Sequence, residues 1–336
     1  MNKYLTIVVV LVSLVLGWTG CSTDFTLEGA WRDIPIVYGF ISVQDTAHYV
    51  RVEKAFLEPG GDATEIARIA DSLYYDDVLV QIEKLPSGEL FTLERVDGNL
   101  EGYPREDGAF ATSPNYLYKI KAEDLDLNGG ENIRLVITRG EDTEPVTAET
   151  NVMRALTPRD NSPSSPVKLF PYDKDISFSW FVGEFAKVFD FRIRINYSEL
   201  APGSTEEVDK SLEWIIDKSF IKDGDPERVV VNIRAERFYQ FLDGALEPLG
   251  NEGYRNLKSM DLLIVGGGQE FVDYFEIANA NLGITSSNTV PVYTNLSEGL
   301  GIFTSRYFLL RDSIEFDPIT MDSVRMGVYT NDLNFE

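Results

Sequence analysis

Alternation of apolar and polar residues, repeated along most of the chain, is the feature that most constrains the fold. Residues 78–83 and 132–138 alternate in this way in the first half, and residues 189–197 do so most regularly in the second half. Successive side chains of a strand point to opposite faces, so a period of two predicts strands with one buried face and one solvated face. Such faces are typical of antiparallel sheets, and we therefore predict a mostly β protein.

The spacing of these segments predicts two sandwiches. In the first half, turn residues separate seven candidate strands at 35–42, 47–56, 77–85, 90–96, 116–121, 132–139 and 145–152. Further strands are expected at 176–180, 189–197, 212–217, 228–234, 261–266 and 302–309. Seven short strands in roughly 100 residues are typical of an immunoglobulin-like sandwich. The fold class that we predict is two β-sandwich (immunoglobulin/fibronectin-like) domains with short helical insertions.

Three segments carry helical patterns within this β-rich chain. Asp62 followed by Glu65 is a variant of the capping box, and an apolar i, i+3, i+4, i+7 stripe follows it, which predicts a helix near 63–73. Similar stripes predict helices near 235–247 and 269–281. These helices are expected to be insertions that lie against the sandwiches.

A segment rich in proline and serine suggests the boundary between two domains. Residues 154–167 combine Thr-Pro and two Ser-Pro pairs with other polar residues, a composition that favours extended and weakly packed chain. We predict an N-terminal sandwich domain at 34–153, a linker at 154–167 and a C-terminal β-rich domain at 168–336.

The start of the chain has the pattern of a secretion signal. Lys3 precedes an apolar run over residues 4–16, which is shorter than the ~20 residues of a membrane-spanning helix. The run ends just before Cys21, the only cysteine of the chain, with small residues on its N-terminal side. We predict a lipoprotein signal peptide at 1–20, lipidation of Cys21 and a tether at 21–33. An ordinary signal peptide with an incidental cysteine is the alternative.

Short pieces of the mature chain carry a family resemblance. They are Ile36-Val37-Tyr38-Gly39-Phe40, His48-Tyr49-Val50-Arg51-Val52, Tyr75-Asp76-Asp77-Val78 and the segment 293–303, which reads YTNLSEGLGIF. These pieces resemble Bacteroidota cell-envelope lipoproteins of unknown function. The resemblance implies a lipid anchor, a location in the cell envelope and β-sandwich modules, and it implies no catalytic residue.

The same resemblance suggests sites of O-glycosylation. Bacteroidota envelope proteins often carry O-glycans where Asp precedes Ser or Thr and an apolar residue follows, and this pattern occurs at Thr46, Ser72, Ser313 and Ser323. Such three-residue patterns also arise by chance in a chain rich in aspartate. The four hydroxyls are therefore candidate sites, although Ser72 is also expected on the predicted helix near 63–73.

One segment resembles the beginning of a calcium-binding loop. Asp124, Asp126 and Asn128 place oxygen atoms at positions 1, 3 and 5, and Gly129 follows at position 6. The bidentate glutamate expected at position 12 is replaced by Leu135. The alternatives are a Ca²⁺ site and a plain acidic turn, and no other cofactor is expected.

Other motifs associated with catalysis are incomplete. His48 is the only histidine and lies within a predicted strand, without a serine in a nucleophile-elbow pattern beside it. Gly266-Gly267-Gly268 lies between a predicted strand and a predicted helix, like a phosphate-binding turn, but the remaining residues of the phosphate-binding motifs are missing. We therefore predict no catalytic residue, and we interpret the glycines as a flexible connection.

The aromatic residues and the carboxylates of the chain are each compatible with a role in glycan binding or hydrolysis and with a purely structural role. Trp31, Tyr74, Tyr75 and Trp214 would suit either a sugar-binding platform or the hydrophobic core. Paired carboxylates would suit glycoside hydrolysis, but among 55 acidic residues no pair stands out.

The composition and the anchor together predict a function class. A formal charge of −25 disfavours nucleic acid as a partner, because phosphates would be repelled. We predict an outer-membrane-anchored, surface-exposed, non-enzymatic binding or structural lipoprotein, although the sequence leaves open which side of the membrane it faces. Its partner would be an outer-membrane barrel, another envelope protein or a glycan. The alternative is an envelope glycan hydrolase that uses paired carboxylates.

Overall fold

The computed structural model describes residues 34–55, 62–140, 143–221, 227–250, 252–281 and 292–336. The predicted signal peptide, Cys21 and the predicted tether lie outside the described residues. The strands are β1 (Pro35–Ile41), β2 (Ala47–Lys54), β3 (Leu79–Leu85), β4 (Glu89–Thr92), β5 (Glu94–Asp97), β6 (Tyr116–Lys121), β7 (Asn132–Thr138), β8 (Val146–Asn151), β9 (Thr157–Pro158), β10 (Asp175–Phe181), β11 (Val188–Leu200), β12 (Glu207–Ile221), β13 (Arg228–Arg234), β14 (Tyr254–Gly267) and β15 (Leu300–Glu315). The helices are α1 (Ala63–Ile66), α2 (Ala70–Leu73), α3 (Ala122–Leu125), α4 (Glu236–Ala245), α5 (Gln269–Asn281) and α6 (Pro318–Met326).

These strands form two sandwiches that share one sheet. The shared sheet has eight strands in the order β12-β11-β14-β15-β1-β2-β6-β5. A four-stranded sheet, β4-β3-β7-β8, packs on its β1, β2 and β6 part, and a three-stranded sheet, β13-β10-β9, packs on its β11 and β14 part. We call these the N-terminal sandwich and the C-terminal sandwich. The mostly β class with two sandwiches is thus confirmed.

Each sandwich has its own core, built from the inward positions of the alternating strands. The N-terminal core includes Val37, Val50, Ile82 and Leu135, all buried. The C-terminal core includes the larger side chains Phe178, Trp180, Phe189, Phe191 and Ile264. The buried residues of the two cores divide near residue 152, and Leu296 and Phe303 are the members of the N-terminal core that come from the far end of the chain.

Strand β15 connects the two sandwiches. Its first part, Leu300 to Ser305, pairs in parallel with β1, and its second part, Arg306 to Glu315, pairs antiparallel with β14. A single strand therefore lies in the sheets of both cores, so the N-terminal sandwich depends on residues that follow it by more than 140 positions.

Two glycines allow the parallel pair to form. Gly301 has a φ of +125°, and a Cβ atom there would lie 1.8 Å from the carbonyl oxygen of Val37. A Cβ atom at Gly39 would lie 2.7 Å from the ring of Phe303. The side-chain amide of Asn295 donates to the carbonyl oxygen of Phe303 (2.7 Å) and accepts from its N–H (3.0 Å). The pieces around Gly39 and Gly301 that carry the family resemblance are thus the two sides of one strand pair.

The segment 154–167, predicted as a linker, is largely exposed but is held against the C-terminal sandwich at several points. It contains β9, which pairs with β10, and Leu156 and Val167 are buried in the C-terminal core. The hydroxyl of Ser162 donates to the carbonyl oxygen of Ser177 (3.1 Å). Leu156 and Val167, which lie on either side of the prolines, bury enough apolar surface to hold this segment against the sandwich.

The helix predicted near 63–73 is divided into α1 and α2. Ile69 between them has an extended backbone, with a φ of −95° and a ψ of 108°. The hydroxyl of Ser72 donates to the carbonyl oxygens of Ile66 and Ile69, each at 2.6 Å. A serine side chain that bonds to nearby carbonyls competes with the helical hydrogen bonds, which explains the break. The other two helical patterns lie on α4 and α5.

Candidate functional site

A cleft of about 240 Å³ lies at one end of the eight-stranded sheet, beneath α5. Along β1, Val37 and Ile41 point into the N-terminal core, so Phe40 points to the opposite face, where the cleft opens. The lining residues come from β1, β11, β12, β14, β15 and α5 and are Phe40, Val188, Phe189, Asp190, Ser219, Val265, Gly266, Gly267, Phe271, Phe275 and Arg306. The cleft is therefore built on the shared sheet and is mainly apolar.

Three phenylalanine rings form one wall of the cleft. The rings of Phe40 and Phe271 stack with centroids 5.6 Å apart and an interplanar angle of 4°. The ring of Phe275, one turn further along α5, stacks on Phe271 at 6.3 Å and 17°. The stripe on α5 thus places its aromatic side chains over the outer face of β1, and all three rings remain partly accessible.

Two glycines at the end of β14 allow close approach on opposite faces of the strand, and Gly267 makes room for this wall. A Cβ atom at Gly267 would lie 2.7 Å from the ring of Phe271 and 2.9 Å from Val188. At Gly266 it would lie 3.0 Å from Leu156. Close approach of α5 therefore explains Gly267, and close approach of Leu156 explains Gly266, in a segment that sequence reasoning interpreted as a flexible connection.

Two charged residues stand at the rim of the cleft. One carboxylate oxygen of Asp190 accepts a hydrogen bond from the backbone N–H of Ser219 (2.6 Å), and the other faces Arg192 at 3.5 Å. Arg306 lies 3.8 Å from Asp45, at the limit of an ion pair, and half of its side chain is exposed. The guanidinium of Arg306 is therefore available to a ligand, whereas the carboxylate of Asp190 is already engaged.

The apolar surface continues beyond the cleft along β15. Val265 and Arg306 also line a neighbouring depression of about 320 Å³, next to Phe308. Phe308 and Leu310 are 40% and 45% exposed on this face. The side-chain amide of Gln44 donates to the carbonyl oxygen of Phe308 and accepts from its N–H, both at 2.7 Å. Beyond the end of β1, the side chain of Gln44 thus supplies hydrogen bonds to the backbone groups of Phe308 on the free edge of β15.

The four candidate glycosylation sites differ in the accessibility of their hydroxyls. Thr46 is exposed in the turn between β1 and β2, and Ser313 is exposed at an irregularity of β15 with a φ of 54°. The hydroxyl of Ser72 donates to the carbonyl oxygen of Ile66, and the hydroxyl of Ser323 donates to the carbonyl oxygen of Ile319 (2.7 Å). Only Thr46 and Ser313 therefore present an exposed acceptor.

The residues of the predicted calcium loop lie on a short helix and its end. Asp124 belongs to α3, Asp126 caps that helix in a left-handed conformation with a φ of 46°, and the amide of Asn128 donates to Glu131 (3.1 Å). Across the part of the chain that the structure describes, no three His, Cys, Asp or Glu residues are grouped so as to hold a metal ion. Calcium binding stays a prediction.

The other candidate residues take structural positions. His48 is 1% exposed, and its Nδ1 atom has no hydrogen-bond partner within the described part of the chain. Tyr74 and Trp214 are 4% and 8% exposed, and Trp214 belongs to the C-terminal core. Tyr75 packs against the N-terminal core, and Trp31 lies outside the described residues. Tyr74, Tyr75 and Trp214 thus do not form a sugar-binding platform.

Sequence reasoning missed Phe40, Asp190, Phe271 and Arg306 as a site. They come from four elements that are separated by up to 266 positions, and only the fold brings them together. The local signals are the stripe of α5, which carries Phe271, and the outward face of β1, where Tyr38 and Phe40 are apolar although the inward face is also apolar.

Comparisons with known proteins assign the chain to no family. No family model matches it, and no curated protein matches it. One solved structure with similarity is that of the FN1-FN3 domains of chicken CNTN1, at 10% identity and a TM-score of 0.19, covering 84% of this chain and 66% of that one. A score at this level carries no argument about function. No helix among the described residues is long and apolar enough to span a membrane.

Proposed function

We propose that this protein is a non-enzymatic binding lipoprotein of the outer membrane, and that its cleft receives apolar side chains of an envelope protein. The observation that carries the proposal is the aromatic cleft, which Gly267 and the stacked rings of Phe40 and Phe271 form on a sheet shared by two cores. Binding sites are typically concave, mainly apolar and largely preformed, with a few polar groups that fix orientation.

The lining favours a protein partner over a glycan. A sugar requires several hydrogen-bonding groups, but Asp190 is engaged by Ser219 and Arg192, which leaves Arg306 as the available charged group. The apolar surface also extends to Phe308 and Leu310, beyond the size of one small group. An apolar segment with a carboxylate near Arg306 fits this arrangement best.

The anchoring part of the proposal has its support in the sequence and has its own test. Cys21 follows an apolar segment of signal-peptide length, and a lipid on its sulfur would hold the mature chain to the membrane. Intact-mass analysis should find a mature chain that begins at a diacylated Cys21. Outer-membrane fractionation of a Cys21→Ala variant that matches the wild type would contradict lipid anchoring.

The binding part is tested by placing a charge in the cleft. Val265→Glu puts a carboxylate against the apolar partner, where an unpaired charge is strongly disfavoured, so affinity should fall at least tenfold. Val208→Glu is the matched control, because Val208 is 48% exposed on β12 and does not line the cleft. The wild type and both variants are crosslinked in native envelopes, and the proteins that become attached to each are identified. The affinity of the purified partner for the wild type and for each variant is then measured.

Loss of that partner in Val265→Glu, with retention in Val208→Glu, is the expected result. Equal capture by all three proteins would contradict the role of the cleft. Binding of a purified envelope glycan that Val265→Glu abolishes would replace the protein partner by a sugar.

The hydrolase alternative has no support from the cleft. Glycoside hydrolysis uses two carboxylates about 5–10 Å apart. The described lining of the cleft contains one carboxylate, Asp190. We expect no turnover of envelope glycans, and turnover that Asp190→Asn abolishes would favour the enzyme.

A further inference from the structure

A second and larger cleft, of about 490 Å³, lies beside the three-stranded sheet of the C-terminal sandwich. It is formed by the segment that carries the prolines and by the beginning of β10, and its lining is mainly polar. Arg159, Lys168 and Lys174 all line it, and all three are exposed. We call it the basic cleft, and it shares no lining residue with the aromatic cleft.

Among the described residues, the three cations of the basic cleft have no carboxylate partner. In a chain with 55 acidic and 30 basic residues, a cation finds a carboxylate easily, as Arg234 does with Asp175 (3.2 Å) at the rim of this cleft. The amine of Lys174 donates instead to the backbone carbonyl of Lys168 (3.3 Å). Within the described residues, neither Arg159, Lys168 nor Lys174 makes an ion pair.

The lining of the basic cleft has more cations than carboxylates, so its local charge is positive. Asp175 is engaged by Arg234, so Asp160 is the remaining acidic residue that faces the three cations. Fields of exposed charges are screened within about 8–10 Å at physiological salt, so a ligand in the cleft experiences these nearby charges more than the net charge of the chain. The cleft is therefore a local exception to the acidic surface.

Buried contacts hold the cleft in shape. The hydroxyl of Ser162 lies between Ser177 and Ser179, donating to the carbonyl oxygen of Ser177 (3.1 Å) and accepting from the hydroxyl of Ser179 (2.8 Å). Val167 and Ile176, which also line the cleft, are buried in the C-terminal core. The segment that carries Arg159 and Lys168 is thus fixed on β10, so the backbone positions of these two cations are set by the fold.

We propose that the basic cleft binds an anion of the phosphate class, either a free phosphate or the phosphate of a lipid headgroup. Charge-assisted hydrogen bonds from guanidinium and ammonium groups to phosphate oxygens are among the stronger polar contacts in proteins, and several cations can bind the several acceptor oxygens of such an anion, whether it is a free phosphate or a singly charged phosphodiester. Nothing in this proposal depends on the aromatic cleft, so either can fail without the other.

The test is isothermal titration calorimetry, in which pyrophosphate is titrated into the detergent-solubilised, full-length mature protein. Arg159→Gln, Lys168→Gln and Lys174→Gln should each weaken binding about threefold to tenfold, and the triple variant should lose it. Lys218→Gln, which removes an exposed lysine of β12 outside the cleft, should bind like the wild type. Lys168→Arg should retain binding, which separates loss of charge from loss of fold.

A second titration identifies the source of the phosphate. Dihexanoyl phosphatidylglycerol is compared with dihexanoyl phosphatidylcholine, whose headgroup has no net charge. Binding of pyrophosphate that depends on the three cations supports a free-phosphate ligand. Binding of phosphatidylglycerol alone, with the same dependence, supports a lipid headgroup. Absence of binding to all these probes, or unchanged affinity in the triple variant, would overturn the proposal.

Discussion

At the scale of single residues, burial decides the protonation of His48. Burial lowers the pKa of its imidazole, and the nearby carboxylate of Asp45 opposes this effect only in part. An imidazole in an unfolded chain has a pKa of about 6.5. Between the folded value and the unfolded value, the unfolded chain therefore binds more protons than the folded chain.

His48 should make stability depend on pH just below neutrality. Because the unfolded chain binds more protons there, the free energy of unfolding falls as pH decreases from about 7 through 6.5, by at most about 1.4 kcal/mol per pH unit. Urea unfolding at pH 7.5 and pH 5.5 measures the effect, and His48→Gln should remove it. His48 is the only histidine, so the same slope in the variant would assign the effect elsewhere.

Hydroxyl accessibility predicts which glycosylation motifs are used. Thr46 and Ser313 are exposed, whereas the hydroxyls of Ser72 and Ser323 donate to carbonyl oxygens of their own helical segments. Peptide mass spectrometry of the protein purified from native envelopes should find glycan at Thr46 or Ser313 and none at Ser72 or Ser323. Modification confined to the latter two residues would contradict this ranking.

At the scale of elements, the parallel pair of β1 and β15 depends on glycine. Gly301→Ala would place a methyl group within 1.8 Å of the carbonyl oxygen of Val37, at a φ of +125°. The pair must separate to admit it, so we expect a loss of about 3 kcal/mol or more in the free energy of unfolding.

The matched control for Gly301→Ala is Gly244→Ala. Gly244 is exposed on α4, and a Cβ there would meet no atom within 4 Å apart from the adjacent helix backbone and its chain neighbours. Alanine in a helix is favoured over glycine by about 0.5–1 kcal/mol. Denaturant unfolding should show opposite signs for the two variants. A neutral effect of Gly301→Ala would show that the strands are not held this closely.

The sequence predicts elements better than their long-range pairing, for a physical reason. Alternation and apolar stripes are local, so the strands around 189–197 and the helix α5 can be identified from their own residues. The break at Ile69 cannot be predicted without knowing which carbonyl oxygens accept from the Ser72 hydroxyl. The local signal for α6 is short, because it consists of the Asp317 cap and Pro318. The parallel pairing of β1 with β15 cannot be read from either strand alone. Each strand has two edges, and nothing in its own residues specifies the strand that pairs with each edge.

The same limit explains why the aromatic cleft was not predicted. Phe271 is visible on the helical stripe, and Phe40 on the alternation of β1, but each pattern alone indicates core. Their stacking at 5.6 Å follows from the position of β14 and β15 between β11 and β1. Motif-based candidates such as His48 and Trp214 were instead found in buried positions.

At the scale of the whole molecule, the shared sheet makes the two halves unequal. The buried residues of the C-terminal core all lie between Met153 and Phe335. The N-terminal core includes Leu296 and Phe303, and β1 has β15 as one of its two neighbours. Removing the C-terminal half therefore takes away part of the N-terminal core, whereas removing the N-terminal half leaves the buried residues of the C-terminal core intact.

Separate expression of the halves should reveal this asymmetry and test the predicted boundary. A fragment of residues 34–153 loses the fully buried Phe303, and removal of a buried phenylalanine alone costs about 3–5 kcal/mol, so we expect circular dichroism to show it largely unfolded. A fragment of residues 153–336 should unfold cooperatively, with Trp180 and Trp214 reporting its core by fluorescence. Fusing residues 292–305 to the first fragment as a donor strand should restore its folding, because that segment supplies Leu296, Phe303 and the partner of β1. If residues 34–153 fold alone with the stability of the intact protein, the N-terminal sandwich is an independent domain and β15 is only an addition to it.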